Sequence, residues 1–365
     1  MKFILSKDIL VENLQKVLGP TTTKQNFPVL TSVLITTTND IAVFTTTDLD
    51  ITVISSQKTK ESTPGQVVIP MKRFFSIIRE LPPQEVSIES VKNNLLIRCG
   101  KVEFKVNTLS NEEFPKPPEN KNTSLIKIIS QELDEMIKLT SFAVGQEDVS
   151  YVLSGILFEI KKNKITLVST DGKRLAVIQK PLPINQPELK EKISFILPIK
   201  AITELHKLVK EYNGEIYLSV NNNTVEFNLK ETQFIARTLE GEFPNYSQYI
   251  PTENKDILTI NRKNLLFALR RASLLSTQDH QGVTLTLKKD NLMVWKNTPQ
   301  LGEVKEEISV GYNGIGFEIG FNPGYLIDAL RNLEDETITI NFFGADKPAV
   351  LKKEGYVYLL LPIKI

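Results

Sequence analysis

Residues 67–70, Val-Val-Ile-Pro, form a strand pattern that ends in a helix-breaking residue and leads into a short amphipathic helix pattern at 73–81. The same unit recurs as Phe-Ile-Leu-Pro at 195–198 before 201–209, and as Glu-Ile-Gly at 318–320 before 325–333. The helix-breaking residues Pro70, Pro198 and Gly320 stand 128 and 122 positions apart. Apolar residues follow each of them at spacings of three to four, which is typical of a helix with one buried stripe.

Other landmarks return at nearly the same interval. Residues suited to cap a helix N-terminus stand between strand and helix patterns at Ser6, Ser130 and Asn261. A Thr-Leu pair followed by Phe-Pro occurs within 108–115 and again within 238–244. Repetition at this length indicates three homologous domains, which we place at 1–121, 122–252 and 253–365. Alternating valine and threonine favours antiparallel strands, so the predicted fold class is α+β with two helices in each domain.

The composition is that of an ordinary globular protein and says little about partners. Hydrophobic residues make up 41% and charged residues 24% of the 365 residues, and the net charge is +1. No apolar run approaches the roughly 18 residues that span a bilayer, so no membrane association is expected. A single cysteine, and polar residues soon after Met1 in place of a signal-peptide core, favour a reducing, cytoplasmic location.

The residues that catalysis or metal binding would need are scarce. No phosphate-binding loop, dinucleotide fingerprint or nucleophile-elbow motif occurs. With Cys99, His206 and His280 as the whole supply of cysteine and histidine, a zinc site is improbable. We therefore expect no enzyme activity, metal or cofactor. Two other interpretations of the repeats are not excluded by these residues. One is a hydrolase that uses an unrecognised carboxylate pair, and the other is a repeat scaffold that does not bind DNA.

The charge of the predicted helices is more informative than the total charge. The pattern at 71–81 has a net charge of +2, the pattern at 199–211 has +1, and the pattern at 261–275 has +4. These could be ordinary solvated helix faces, or they could attract the phosphates of a nucleic acid. Charge alone leaves both interpretations open.

Several local strings, in order along the threefold repeat, resemble one family over the whole chain. These strings are MKF at 1–3, GP at 19–20, FPVL at 27–30, TDL at 47–49, RFF at 73–75, LSGILFE at 153–159, TDGKRLAV at 170–177, GEFPNY at 241–246, IGFN at 319–322 and YLLLPIKI at 358–365. The family is the beta subunit of bacterial DNA polymerase III, the sliding clamp. The resemblance implies three repeated clamp domains with antiparallel sheets outside and helices lining a ring.

The resemblance also implies how such a ring would assemble and meet DNA. It implies a head-to-tail homodimer whose interface includes Lys101, Phe104, Lys105, Val106, Leu274, Leu275, Glu303 and Glu306. It implies weak contacts with duplex DNA, without sequence specificity, from Lys24, Arg73, Tyr151 and Lys200. Diffuse positive charge attracts phosphates without reading bases, which suits sliding.

The same resemblance implies a pocket for short peptides of the replicative polymerase, the clamp loader and repair proteins. The matching positions are Leu153, Thr170, Gly172, Lys173, Arg174, Leu175, Pro244, Tyr249, Asn322, Tyr325, Leu359, Leu360, Leu361, Pro362, Ile363, Lys364 and Ile365. Two departures from the family pattern bear on peptide preference. Lys173 stands where a histidine is common, and branched aliphatic residues replace methionines near Pro362, which predicts a stiffer pocket.

Overall fold

The computed structural model describes residues 1–22, 27–117, 125–146, 150–184, 189–251, 253, 255–277 and 279–364. The described chain forms two compact units. The first contains Met1–Gln131 and Thr203–Thr238, and the second contains Glu132–Ile202 and Leu239–Ile365. The predicted boundaries after 121 and 252 stay predictions, because Lys121, Asn122 and Thr252 lie outside the described residues.

Six α-helices lie in the described part of the chain, two for each repeat. They are α1 (Lys7–Val17), α2 (Met71–Glu80), α3 (Ser130–Thr140), α4 (Ile199–Glu211), α5 (Arg262–Ser273) and α6 (Pro323–Asn332). The predicted caps at Ser6 and Asn261 are confirmed, since their side chains accept hydrogen bonds from the backbone N–H groups of Ile9 and Asn264. The hydroxyl of Ser130 instead accepts from the N–H of Gly214, which ties the start of α3 to a loop.

The strands of the first two repeats are β1 (Lys2–Ser6), β2 (Ser32–Thr38), β3 (Ile41–Thr47), β4 (Ile51–Lys58), β5 (Ser62–Thr63), β6 (Gly65–Pro70), β7 (Glu85–Val91), β8 (Asn94–Cys99), β9 (Val102–Asn107), β10 (Ile126–Ile129), β11 (Gly155–Lys162), β12 (Lys164–Thr170), β13 (Arg174–Pro181), β14 (Leu189–Pro198), β15 (Glu215–Val220), β16 (Thr224–Leu229) and β17 (Thr232–Arg237). Those of the third repeat are β18 (Ile257–Asn261), β19 (Val283–Lys288), β20 (Asn291–Thr298), β21 (Gly302–Ser309), β22 (Phe317–Phe321), β23 (Thr337–Asn341), β24 (Ala349–Lys353) and β25 (Tyr356–Leu360). All paired strands are antiparallel, which confirms the predicted α+β fold with antiparallel sheets.

Each unit contains one eight-stranded sheet that joins strands of two successive repeats. In the first unit its order is β10-β15-β16-β17-β4-β3-β2-β6, and in the second it is β14-β11-β12-β13-β25-β24-β23-β18. We call the strand pairing between two successive repeats a seam. The seam of the first sheet pairs Phe234 with Val53, and the seam of the second pairs Val177 with Val357. Backbone hydrogen bonds therefore continue from one repeat into the next.

A smaller sheet completes each unit. The first unit has the order β5-β1-β7-β8-β9, and the second has the order β21-β20-β19-β22. In each unit the helices cover one face of the sheets with apolar stripes, as Leu10, Leu14 and Val17 do in α1. These three side chains are fully buried, so the amphipathic patterns of the sequence correspond to real core contacts.

Our alignment of the third repeat on Gly320 is wrong by two positions. Isolated bridges pair Val68 with Leu109, Ile196 with Leu239, and Gly320 with Ile363. Gly320 therefore corresponds to residues inside the earlier strands. Asn322 takes the place of the prolines before the helix: its side chain accepts from the N–H of Gly324 at 2.9 Å, and proline follows as the first helical residue. The cap and not the glycine fixes where α6 begins.

Candidate functional site

A tight turn between β12 and β13 builds one wall of an apolar cavity in the second unit. Asp171 holds the turn, because its Oδ1 accepts from the N–H groups of Lys173 and Arg174 at 2.9 and 3.0 Å. Gly172 lies at the tip with φ of +83°, a conformation that side chains resist. The hydroxyl of Thr170 accepts from the N–H of Gly172 at 3.1 Å and so closes the tip.

The cavity beside this turn has a volume of about 320 Å³. Its lining residues are Leu153, Thr170, Gly172, Lys173, Arg174, Leu175, Pro244, Tyr246, Tyr249, Pro348, Leu359 and Leu361. Leu175 and Leu359 face each other across the seam of the sheet and belong to a buried apolar cluster, so the floor is fixed. Tyr249 and Leu361 are 62% and 40% exposed, so apolar surface is open to a ligand.

Arg174 is a buried lining residue of the cavity, and two carboxylates balance its charge. Its Nε donates to Asp171 at 2.9 Å and its Nη1 donates to Asp328 at 2.8 Å. Its guanidinium also lies 4.3 Å from the centre of the Tyr325 ring. Burial by itself would lower the pKa of Arg174, but the hydrogen bond to Asp328 and the charge of Asp171 raise it above its ordinary value. Two carboxylates therefore already balance the charge of this cation in the cavity wall.

Two lining residues, Tyr246 and Pro348, were not among the pocket residues predicted from the sequence. The Tyr246 hydroxyl donates to Glu159 Oε2 at 2.6 Å, and burial together with that carboxylate raises the pKa of Tyr246. Tyr246 is the last residue of the string GEFPNY, which contributes to the resemblance but does not by itself indicate a role for this tyrosine. Pro348 directly precedes β24, in a connection that carries no pattern in the sequence.

Some predicted pocket residues do not line the cavity. Asn322 caps α6, and the Tyr325 ring lies against the Arg174 guanidinium. Leu360 is 1% exposed and points to the opposite face of its strand from the lining residue Leu359. Ile363 and Lys364 line a separate cavity of about 580 Å³, and Pro362 lines neither. Ile365 lies outside the described residues. The role of the whole set in binding stays a prediction.

The basic helix faces are weaker than the sequence charge indicated. On α2, Lys72, Arg73 and Arg79 are exposed. On α5, however, Arg262 donates to the backbone oxygens of Asp335 and Leu330, and Arg271 is paired with Glu306. One of the four positive charges of α5 is thus balanced by a carboxylate, and the guanidinium of Arg262 is held against the backbone. Two further residues predicted at DNA, Lys200 and Tyr151, are exposed, and Lys24 lies outside the described residues.

The small sheets end in two edge strands that present mixed apolar and charged residues. On β9, Val102 and Phe104 are 37% and 38% exposed, whereas Val106 is buried. On β21, Glu303 pairs with Lys305 at 2.8 Å. At the end of α5, which is tied to β21 through Arg271 and Glu306, Leu274 is 79% exposed. Exposed apolar residues on open strand edges favour pairing with another chain.

Each of the three repeats matches one domain of a known family. The N-terminal, central and C-terminal domains of the DNA polymerase III beta subunit family match residues 1–118, 127–245 and 247–363 in that order. The beta sliding clamp of Pseudomonas putida is 30% identical over 370 residues, with both chains fully covered. The chain belongs to the beta sliding clamp family. Like its relatives, it therefore has the three-domain clamp fold.

Solved clamp structures support the same assignment. The clamp from Bacillus subtilis superposes with a TM-score of 0.93 at 31% identity, and covers all of this chain and 99% of its own. The clamp from Pseudomonas aeruginosa bound to griselimycin gives a TM-score of 0.95 at 28% identity, with full coverage of both chains. Within the described residues, no helix is long and apolar enough to cross a membrane, and no three His, Cys, Asp or Glu side chains cluster as metal ligands would.

Proposed function

We propose that two copies of this chain close head to tail into a ring around duplex DNA and so make the replicative polymerase processive. The observation that carries this proposal is the repeat itself. Each eight-stranded sheet is sealed by pairing an edge strand of one repeat with an edge strand of the next, β17 with β4 and β25 with β13. Among the described residues, the corresponding strands β9 and β21 pair with no strand of another repeat. A second copy supplies the missing neighbour for each.

The internal seams predict the register of the seam between copies. Hairpin pairings make Thr232, Tyr356 and Val102 equivalent, because each begins the second strand of its hairpin. Likewise Ser55, Ile178 and Glu306 are equivalent. Each pairs with the residue three positions after the start of the preceding strand, which is Phe44, Leu167 or Val294. Thr232 pairs with Ser55 and Tyr356 with Ile178 in the two internal seams.

Val102 is therefore expected opposite Glu306 of the partner subunit. Counting from that pair along antiparallel strands sets Glu103 opposite Lys305, Phe104 opposite Val304, and Lys105 opposite Glu303. The resulting neighbours are chemically complementary. Phe104 and Val304 make an apolar cross-strand pair between two pairs of opposite charge, a pattern that favours this register over a shifted one. A shift by one residue would place Lys105 opposite Gly302 or Val304, so that its pairing with Glu303 would be lost. Leu274 stands at the end of the helix that packs against β21 and would cover the seam on the helix side.

The remaining parts of the proposal follow from the surfaces. Lys24, Arg73, Tyr151 and Lys200 would touch DNA phosphates weakly and without reading bases, which permits sliding. The 320 Å³ cavity of the second unit would receive short peptides of the polymerase, the clamp loader and repair proteins. The griselimycin complex of the related Pseudomonas clamp supports the presence of a ligand site in the family. Such a protein works where DNA replicates, in the bacterial cytoplasm, and needs no catalytic group.

A charge exchange tests ring closure and register together. Sedimentation should give twice the chain mass for the unaltered protein. Lys105→Glu and Glu303→Lys should each shift the equilibrium toward monomer at low salt, because each places like charges opposite one another. The double variant should recover the dimer. Lys58→Glu, a reversal elsewhere in the first unit, is the control. If the unaltered chain sediments as a monomer, or if the double variant is no better than the singles, the proposed seam is wrong.

A further inference from the structure

The turn that builds the cavity of the second unit has a counterpart in the first unit. In both turns an aspartate, Asp48 or Asp171, accepts two backbone N–H groups at 2.8–3.0 Å, from residues 50 and 51 or 173 and 174. In both turns a threonine hydroxyl accepts the N–H of the tip residue at 3.1 Å, Leu49 in one case and Gly172 in the other. The two turns are therefore the same structure built from different side chains.

The residue at the tip differs between the two turns, and the backbone conformation at the tip disfavours leucine. Leu49 has φ of +81° where Gly172 has φ of +83°. A leucine in this left-handed conformation is strained, whereas a glycine is not. The Leu49 side chain is left 50% exposed, so burial in the chain offsets this strain only in part. Strain that local packing does not offset is characteristic of residues kept for contact with another molecule.

A cleft of about 230 Å³ lies beside Leu49, within the first unit. Its walls correspond to those of the apolar cavity one repeat later. Arg237 stands where Leu361 stands, because each donates its N–H to the turn, to Asp50 O or Lys173 O, at 2.9 Å. Thr52 likewise stands where Leu175 stands, at the start of the equivalent strand pairing. The geometry of the site is thus retained while its lining is more polar.

The charge of this cleft is also different. Lys116 and Arg237 are exposed at its rim, and neither forms an ion pair with a described residue, whereas Arg174 in the second unit is bound by two carboxylates. Asp50 is the single acid among the lining residues. The cleft therefore offers one exposed aliphatic side chain between two available cations.

We propose that this cleft is a second docking site, and that it receives an acidic peptide segment of a protein partner, with an apolar side chain against Leu49 and carboxylates against Lys116 and Arg237. The inference rests on the proposed function, because the cleft is argued from its equivalence to the peptide cavity. A peptide fits better than DNA, because a half-exposed leucine contributes nothing to phosphate binding but is a suitable anchor for an aliphatic side chain.

The test uses the full chain and a fluorescein-labelled octapeptide that alternates leucine with aspartate or glutamate. A matched basic control peptide carries lysine in place of each acidic residue. Binding is followed by fluorescence anisotropy at low salt, with the second-unit cavity saturated by an unlabelled peptide containing Gln, Leu and Phe. We expect the acidic probe to bind at least tenfold more tightly than the basic one. Leu49→Gly and Arg237→Glu should each weaken acidic-probe binding by about tenfold.

Leu49→Gly separates binding from folding. Since glycine relieves the strain at the tip, its melting temperature should equal or exceed that of the unaltered chain while probe binding falls. Lys58→Glu, the same charge reversal at the far end of β4, should leave the acidic-probe affinity unchanged. Equal binding of the acidic and basic probes, or affinity indifferent to Leu49→Gly and Arg237→Glu, would overturn the inference.

Two other outcomes of this experiment would have different meanings. If Arg237→Glu lowered affinity for labelled duplex DNA as much as for the acidic probe, and Leu49→Gly affected neither, the cleft would be a phosphate site and the peptide inference would be wrong. Failure of the unlabelled peptide to bind the second-unit cavity would contradict the proposed function instead. The response of the acidic probe to the two variants would still decide this inference.

Discussion

Replacing Leu274 by alanine tests the seam between copies through a single apolar side chain. Leu274 is 79% exposed in the chain, so most of its surface is available to be buried by a partner. Full burial of a leucine side chain is worth about 2 kcal/mol, and four-fifths of that is about 1.6 kcal/mol at each seam. A ring has two seams, so the Leu274→Ala dimer should be less stable by about 3 kcal/mol. Its dissociation constant should rise slightly more than a hundredfold.

Analytical ultracentrifugation over a range of concentrations measures that dissociation constant directly. Ile184→Ala is the matched control, since Ile184 is 97% exposed and lies far in sequence from both edge strands. The melting temperature of the monomer should not fall, because a residue this exposed contributes little to its own core. If the Leu274→Ala protein is folded and its dimer has the same dissociation constant as the unaltered dimer, Leu274 is not part of the seam.

Three other outcomes follow from the same account. Cysteines at Phe104 and Val304 should form an intermolecular disulfide on oxidation, since directly paired residues have Cα atoms about 4.5–5.5 Å apart, whereas moving the second cysteine two positions along its strand should not. Charge reversal at Lys24 and Arg73 should shorten retention on circular duplex DNA at moderate salt, and retention that depends on base sequence would contradict sliding. Deleting 361–365 should abolish calorimetric binding of a peptide with Gln, Leu and Phe and leave the dimer mass unchanged. Undiminished binding by that truncated dimer would exclude the cavity as the docking site.

The sequence by itself determined the repeat, the two helices of each repeat, the antiparallel character of the strands and the family. Alternation in stretches such as 33–38 and stripes such as that of α1 depend on neighbours within a few residues, so period and capping predict them. The turn at 170–174 is of the same local kind, because Asp171 accepts N–H groups from residues two and three positions further on. For the same reason the helix starts at Ser6 and Asn261 could be predicted.

Only the tertiary structure decided which side chains share a surface. The string at 358–365 does not tell that Leu361 reaches the cavity while Leu360 points into the core, because the face depends on the register with β13. Counting charges on α5 could not show that Arg271 is paired with Glu306, which lies 35 positions along the chain. The strain of Leu49 likewise appears only in its backbone angle. Local patterns fix elements because their causes are near in sequence, whereas sites join residues that approach each other only after the strands have paired.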